Sequence, residues 1–380
     1  MKKEIIHLFA VAVLLLMSAG ASWATENIKV GAILAVTGPA SFLGGPELKS
    51  AKMLVQRINR AGGIQGKKIE LIVRDSGGSS EKAISFARQL IEEKEVFAII
   101  GPSTSGETLK IKKLCQRSKT LLLSCSSADR IVFPLASYVF KTAPSDGLAV
   151  EKIFIYMQKK GIKKIALLSG NTGFGKAGKR QILKRAKKYG IEVVSSEVYD
   201  KNATDLTAIV AKIKSQPGIE AVVNWSVVPA QSIVLKNIRQ AGWDVPIFQS
   251  HGFANIKYVQ AAGAAAEGVL FPASRLIIAK QLPAGVDKDF LLQFKNDYEN
   301  SYGEEVSTFG GHSYDALLLL ANAIKQVGLD REKVRGVLEA TRGFMGTAGE
   351  FNFSAKDHSG LSIEAFTMLT VEDGKFVPYN

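Results

Sequence analysis

Short apolar runs alternate with amphipathic helical patterns along almost the whole chain, and this alternation limits the fold more than any other feature. "IKVGAILAV" reads as a strand. In "ELKSAKMLVQRINRAGG", Ala51, Leu54, Val55 and Ile58 recur at helical spacing, and Gly62 and Gly63 stop the helix. "KIELIVRD" is a second strand and "SEKAISFARQLIEE" a second helix, with Ser80 as its cap. "VFAIIG", "TLLLS", "KIALLS", "EAVVNWS" and "VPIFQS" continue the series, with helical patterns between them. Repeated strand–helix units build parallel sheets with helices on both faces, so the expected fold class is α/β.

The rhythm breaks twice. "YVFKTAPSDG" (residues 138–147) runs strand, Pro, capped helix start, and "AEGVLFPASRL" (266–276) runs Gly, apolar strand, Pro. Three helical stretches follow, roughly 285–302, 310–327 and 331–341, then alternating strands and turns. A chain of 380 residues is too long for one core, so two domains are expected. Residues 1–24 read as a cleaved secretory signal peptide. Lys2 and Lys3 precede an apolar core, Ile5 to Met17, and Ser22 and Ala24 suit the cut. That core falls short of the ~20 residues a membrane span needs. The remaining chain is expected to form one lobe from 25–142 plus 274–348 and another from 143–273 plus 349–380. Each lobe has its own parallel sheet, with crossings at both breaks and again near residues 345–355.

In open α/β sheets ligands bind at the carboxyl ends of strands, so the loops after strands carry the functional reading. "GPSTSGET" places Ser103, Thr104 and Ser105 ahead of a helix, where hydroxyls and free backbone N–H groups suit a carboxylate or simply cap the helix. "SCSSAD" offers Ser126, Ser127 and the amide of Ala128 on the neighbouring strand. Together the two loops read as a carboxylate clamp. Phe42, Leu43, Phe174 and Trp225, in the other loops, are candidate apolar walls. His251, in "QSHG", directly follows a strand and is a candidate ligand contact. His312 and His358 have no such placement and read as structural.

Several function classes are excluded or weakened. "SGNTGFGK" places Gly170, Gly175 and Lys176 like a phosphate-binding loop, but Ala177 stands where Ser or Thr is needed for Mg²⁺. No later strand ends in an acid suited to that metal. No nucleophile elbow, metal-ligand spacing or acid pair emerges, so neither enzyme, cofactor nor metal is expected. The formal charge of +14 comes from lysines and arginines scattered over helix faces, as in "KKGIKK" and "KRQILKRAKKYG". It favours anionic ligands and does not indicate a nucleic-acid partner. Cys115 and Cys125 either pair in an oxidising compartment or remain two buried thiols.

The chain resembles the leucine/isoleucine/valine-binding family of periplasmic solute receptors for ABC importers. "GAILAVTGPASFLG", "INRAGGIQGKKIEL", "IIGPSTSG", "VFKTAPSD", "GFGKAG" and "STFGGHSYDALLLLANAI" stand in the family's order and cover nearly all of the mature chain. The resemblance implies two Rossmann-like lobes joined by three crossovers, closing on a ligand. It also implies a periplasmic location, a monomeric receptor and an inner-membrane permease as partner. By motif, a ligand carboxylate would meet Ser105 and the amide of Ala128, with Ser126 and Ser127 beside it. Many members have Thr at the position of Ala128. Amino-acid receptors of the family carry an acid at the position of His251, pairing with the ligand ammonium, and often Tyr at that of Phe174. An unpaired buried charge costs several kcal/mol, roughly, so these departures weigh against an amino acid. "QSHG", "AGAAAEGVLFPA" and "AKQLPAG" resemble the branch that takes aromatic carboxylates, which implies benzoate-like acids. Asp146 is an alternative partner for an amine, though its position suits a helix cap. A sensory protein on the same fold is the remaining alternative.

Overall fold

Five parallel strands form the first sheet: β1 (Ile28–Leu34), β2 (Ile69–Asp75), β3 (Ala98–Ile100), β4 (Leu121–Ser124) and β5 (Val139–Lys141), in the order β2-β1-β3-β4-β5. Four more form the second: β6 (Lys164–Gly170), β7 (Glu192–Tyr199), β8 (Ala221–Trp225) and β9 (Ile247–Gln249), in the order β7-β6-β8-β9. The structure is a computed structural model and describes residues 26–379. The signal peptide expected over residues 1–24 lies outside the described residues.

Helices follow the strands as the alternation requires. α1 (Ser41–Arg60), α2 (Ser80–Arg88) and α3 (Ser105–Arg117) belong to the first sheet. α4 (Asp146–Lys159) follows the first crossover, and α5 (Gly173–Arg185), α6 (Thr207–Lys214), α7 (Ala230–Gln240) and α8 (Ile256–Ala262) belong to the second. After β10 (Phe271–Ala273) the chain returns to the first lobe through α9 (Val286–Tyr302), α10 (Thr308–Val327) and α11 (Arg331–Glu339). A hairpin, β11 (Phe344–Gly346) and β12 (Gly349–Phe351), precedes the last crossover. β13 (Thr367–Glu372) and β14 (Lys375–Pro378) then pair antiparallel with β10 in the order β10-β13-β14.

Both faces of the first sheet are buried, and side-chain alternation divides its residues between two cores. Ile100, Leu123 and Phe140 pack with Leu317 and Leu320 of α10. Ile99, Leu122 and Val139 pack with Ala83, Leu90 and Ile111 on the other face. The second sheet has its own core, built on Ile165, Leu167, Val223 and Phe248. Phe351, Phe353, Leu361 and Ala365 still pack with the first lobe, whereas Phe366, Met368 and Leu369 join the second. The packing thus changes from one core to the other between Ala365 and Phe366.

Three local expectations need correcting. β7 lies in a stretch with no expected strand. Five of its eight residues are only part-buried and two are exposed, and Ser195, Ser196 and Glu197 interrupt its apolar pattern. α1 begins at Ser41 rather than Glu47 and runs through Pro46, so Phe42 and Leu43 are helical rather than loop residues. α2 is capped by Ser79, whose hydroxyl accepts from the Lys82 amide, and not by Ser80.

The crossovers are tied to one another. Ser145 and Ser359 hydroxyls lie 3.0 Å apart, the Lys141 amide donates to the His358 carbonyl, and the His358 ring stacks 3.9 Å from Phe140. Cys115 and Cys125 are free and buried, and burial raises both thiol pKa values, that of Cys115 to about 12.

The glycines of "GNTGFGKAG" serve packing. A Cβ at Gly175 would stand 1.9 Å from the Gly170 carbonyl oxygen, and one at Gly178 would stand 2.0 Å from Trp225 Nε1. Trp225 is fully buried, so its ring has little room to yield. Gly178→Ala should therefore destabilise the protein by about 1–3 kcal/mol. Its urea midpoint is expected to fall with unchanged slope; a wild-type midpoint would refute the close packing.

Candidate functional site

α3 begins with a capping box. Thr104 Oγ1 accepts from the Glu107 amide at 3.4 Å and donates to the Glu107 carboxylate at 2.5 Å. The Thr104 hydroxyl is thus held by its own helix. Ser103 Oγ accepts from the Ala35 amide at 2.9 Å and donates to the carboxylate of Glu47, on α1. Burial pushes the Glu47 pKa up to about 8, against the lowering effect of Ser103. Ser126 Oγ donates to the Pro102 carbonyl at 2.9 Å. Three of the five candidate hydroxyls are therefore used to set the shape of the clamp.

Ser105 is the first residue of α3, and its Oγ lies 3.4 Å from the Ala128 amide. That long contact joins the two clamp loops, as the Ser126–Pro102 bond also does. Ser127 stands beside Ser126, with its hydroxyl approaching the Asp146 carboxylate. Ser105, Ser127 and the Ala128 amide, at the positive end of α3, are the part of the clamp suited to a carboxylate.

These loops face the second lobe across a narrow, nearly filled cavity whose lining comes from both lobes. Ser103, Thr104, Ser105, Ser126 and Ser127 line it from the clamp side. Leu43, Phe174, Val227, Phe309 and Ala143 give it apolar walls, and His251 and His312 complete the polar lining with Cys125. Three expected site residues stand behind this lining. Ala128 is fully buried behind Ser105. Trp225 stacks under Phe174 with ring centroids 5.7 Å apart and lies 5.6 Å from His251. Phe42 packs on Tyr258, 5.0 Å between centroids.

His312 is the clearest omission of the sequence reading. It lies near the start of α10, where nearly every residue is buried, so the helical pattern did not distinguish it from core. The Cys125 backbone approaches its ring, while Nδ1 has no hydrogen-bond partner. His251 has no hydrogen bond to either ring nitrogen; its Nε2 is 3.7 Å from Asp146 Oδ1, too long for one. Burial lowers the pKa of both histidines to about 3, so both are neutral.

Asp146 opens α4 but does not cap it; its carboxylate forms no hydrogen bond of good geometry. Burial raises its pKa, and nearby Asp129 raises it further. Lys141 is buried close by, donating to the Ala143 carbonyl at 2.7 Å, with its pKa lowered by burial. Among the described residues no group of His, Cys, Asp and Glu is placed to hold a metal ion.

The lobes meet around this cavity. Gln181 donates to Asp129 at 2.7 Å, one residue after Ala128, and Arg185 lies 4.0 Å from the same carboxylate. Asn255 donates to the Phe42 carbonyl at 2.9 Å. The N-termini of α3 and α5 touch backbone to backbone: a Cβ at Gly173 would stand 2.6 Å from both Cα and N of Gly106. The arrangement encloses a small ligand between two lobes and offers no nucleophile–base pair.

A family model described as "Periplasmic binding protein" matches residues 27–375. The leucine-, isoleucine-, valine-, threonine- and alanine-binding protein of Pseudomonas aeruginosa is 27% identical, over 88% of each chain. An extracellular ligand-binding receptor from Rhodopseudomonas palustris HaA2 superposes with a TM-score of 0.87 at 25% identity, covering 93% of this chain and 99% of its own. The branched-chain amino acid binding protein LivJ of Streptococcus pneumoniae, in complex with isoleucine, gives 0.81 at 28% identity, covering 92% and 97%. A solute-binding protein of an ABC transporter from Rhodopseudomonas palustris BisB5, in complex with 3,4-dihydroxybenzoic acid, shares the fold at 0.80 and 19% identity, covering 93% and 95%.

The contact between Gly106 and Gly173 gives a direct test of closure. Gly173→Val should leave each lobe folded, with thermal unfolding near that of the wild type, but hold the lobes apart. Small-angle scattering should then show a larger radius of gyration for the variant. An unchanged scattering curve would show that this contact does not limit closure.

Proposed function

The chain belongs to the periplasmic binding protein family, of the branched-chain amino acid type, and is a solute-binding protein rather than an enzyme; from that premise we propose that it captures a small aromatic or apolar carboxylate and delivers it to the permease of an ABC importer. In this reading it works in the periplasm as a monomer. We take residues 26–142 with 274–365 as one lobe and 143–273 with 366–379 as the other.

One observation carries the reading: the cavity joins a hydroxyl-and-amide clamp to apolar walls, and its lining contains no carboxylate. The carboxylate of the ligand takes the Ser105 and Ser127 hydroxyls and the Ala128 amide, replacing their long mutual contacts. The apolar body lies against Leu43, Phe174, Val227 and Phe309. Because Leu43 and Phe309 come from one lobe and Phe174 and Val227 from the other, the ligand gains its full contact only when the lobes close. Its binding free energy thus shifts the equilibrium toward the closed form, which docks on the permease.

An amino acid is the second reading, and Asp146 is the observation in its favour. Its buried carboxylate lies near both His251 and Ser127, and the relatives' names point to branched-chain amino acids. Against it, burial raises the Asp146 pKa and the buried Lys141 already places a positive charge nearby.

Trp225, two rings from the ligand, gives an optical readout. Titration of the mature protein with benzoates should change its fluorescence, and leucine should not. Ser105→Ala should weaken the best acid by about tenfold to a hundredfold, as expected for a hydrogen bond to a charged group. Tight leucine binding with failure of every benzoate would reverse the choice of ligand class.

A further inference from the structure

The outer face of α3 is basic without relief. Lys110, Lys113 and Arg117 follow one another at spacings of three and four, so they share one side of the helix, and all three are exposed. Ile111 and Cys115, on the other side, pack in the core. The loop after β4 lies against this helix: Lys112 Nζ donates to the Arg130 carbonyl at 3.1 Å and to the Pro134 carbonyl at 2.6 Å. Helix and loop border an open groove, where Leu109, Leu135 and Ala136 lie among the basic side chains and no acid takes part.

Two properties of this face are unfavourable in water alone. Like charges three and four residues apart on a helix repel. The one acid of α3, Glu107, is buried in the capping box, and Glu81 acts on Lys110 only from beyond salt-bridge distance. Among the described residues Lys110, Lys112, Lys113, Arg117 and Arg130 form no salt bridge. The second property is an apolar tip. Phe133 is 49% exposed and Leu135 39%, although Ile131, Val132 and Ala136 on either side are buried. The loop is anchored at both ends, by the Phe133 amide on the Asp129 carbonyl and the Val139 amide on the Ala136 carbonyl, so the tip is held outward.

We propose that this face docks on an anionic phospholipid surface, with the lysines and arginines on the headgroup phosphates and Phe133 and Leu135 in the interface. Charge complementarity selects an anionic partner. A protruding apolar tip ringed by bases selects one that can be penetrated, which a lipid surface is and a folded acidic protein is not. None of these residues lines the inter-lobe cavity, so docking leaves the ligand site unobstructed. The proposal goes beyond ligand capture and does not depend on which ligand is carried. A receptor held in this way searches for its membrane partner along a surface rather than through a volume.

Cosedimentation of the full mature chain with vesicles tests this. Vesicles of phosphatidylcholine with about one-third phosphatidylglycerol should bind at least tenfold more protein than vesicles of phosphatidylcholine alone, and salt near 0.5 M should remove most of the difference. Lys110→Gln, Lys113→Gln and Arg117→Gln together should lower binding tenfold or more, with thermal unfolding near that of the wild type. Lys52→Glu with Lys68→Glu removes more charge at exposed positions elsewhere on the first lobe, and should lower binding less than threefold. Phe133→Ser with Leu135→Ser should weaken binding severalfold and leave the salt dependence unchanged. Equal binding to both kinds of vesicle, or equal loss in the Lys52/Lys68 control, would overturn the docking face. An unaffected Phe133/Leu135 variant would overturn the apolar insertion. Binding of a poly-glutamate peptide with no binding of either vesicle would assign the face to an acidic protein segment instead.

Discussion

Gly106 and Gly173 bring two helix N-termini into backbone contact across the lobes, and the rest of the site depends on that approach. Parallel strands make it available. Each sheet points the carboxyl ends of its strands, and therefore the N-termini of the following helices, toward the other lobe. Any side chain at Gly173 would separate α3 from α5. With the contact made, Ser105 at the start of α3 and Phe174 at the start of α5 face one cavity.

That cavity is closed at the cost of burying several polar groups. Glu47, Asp146, Lys141, His251 and His312 all lie within or just behind its walls, and each has a pKa shifted toward its neutral form, chiefly by burial. Glu47 has a constructive role, since it holds Ser103, which in turn holds the end of β1. The two histidines have no such internal role for their free nitrogens. Groups that shape the site are thus hydrogen-bonded within the protein, and groups left unpaired mark where a ligand is needed.

Much of this was legible in the sequence. The clamp loops stood out because hydroxyls cluster directly after apolar strands, and the structure places Ser103 to Ser105 beside Ser126 and Ser127. Which hydroxyls remain available was not legible. Thr104 forms a capping box whose Glu107 lies in plain view, but Ser103 is held by Glu47, far away in the chain. β7 was missed because an edge strand needs no continuous apolar run. The loop that resembled a phosphate cradle carries glycines for the same reason a cradle would, close backbone approach. Here what approaches is Trp225 and the opposite lobe.

The sequence by itself determined the α/β class, the paired sheets and the loops from which a site had to be built. Those follow from periodicity, strand ends and helix caps, which are local properties. Only the tertiary structure decided that Phe42, Trp225 and Ala128 stand behind the lining and that His312 stands in it. Burial and hydrogen-bond partnership are set by what packs on the far side of each residue. For His312 that is the Cys125 backbone, a long-range contact that no spacing along the chain specifies.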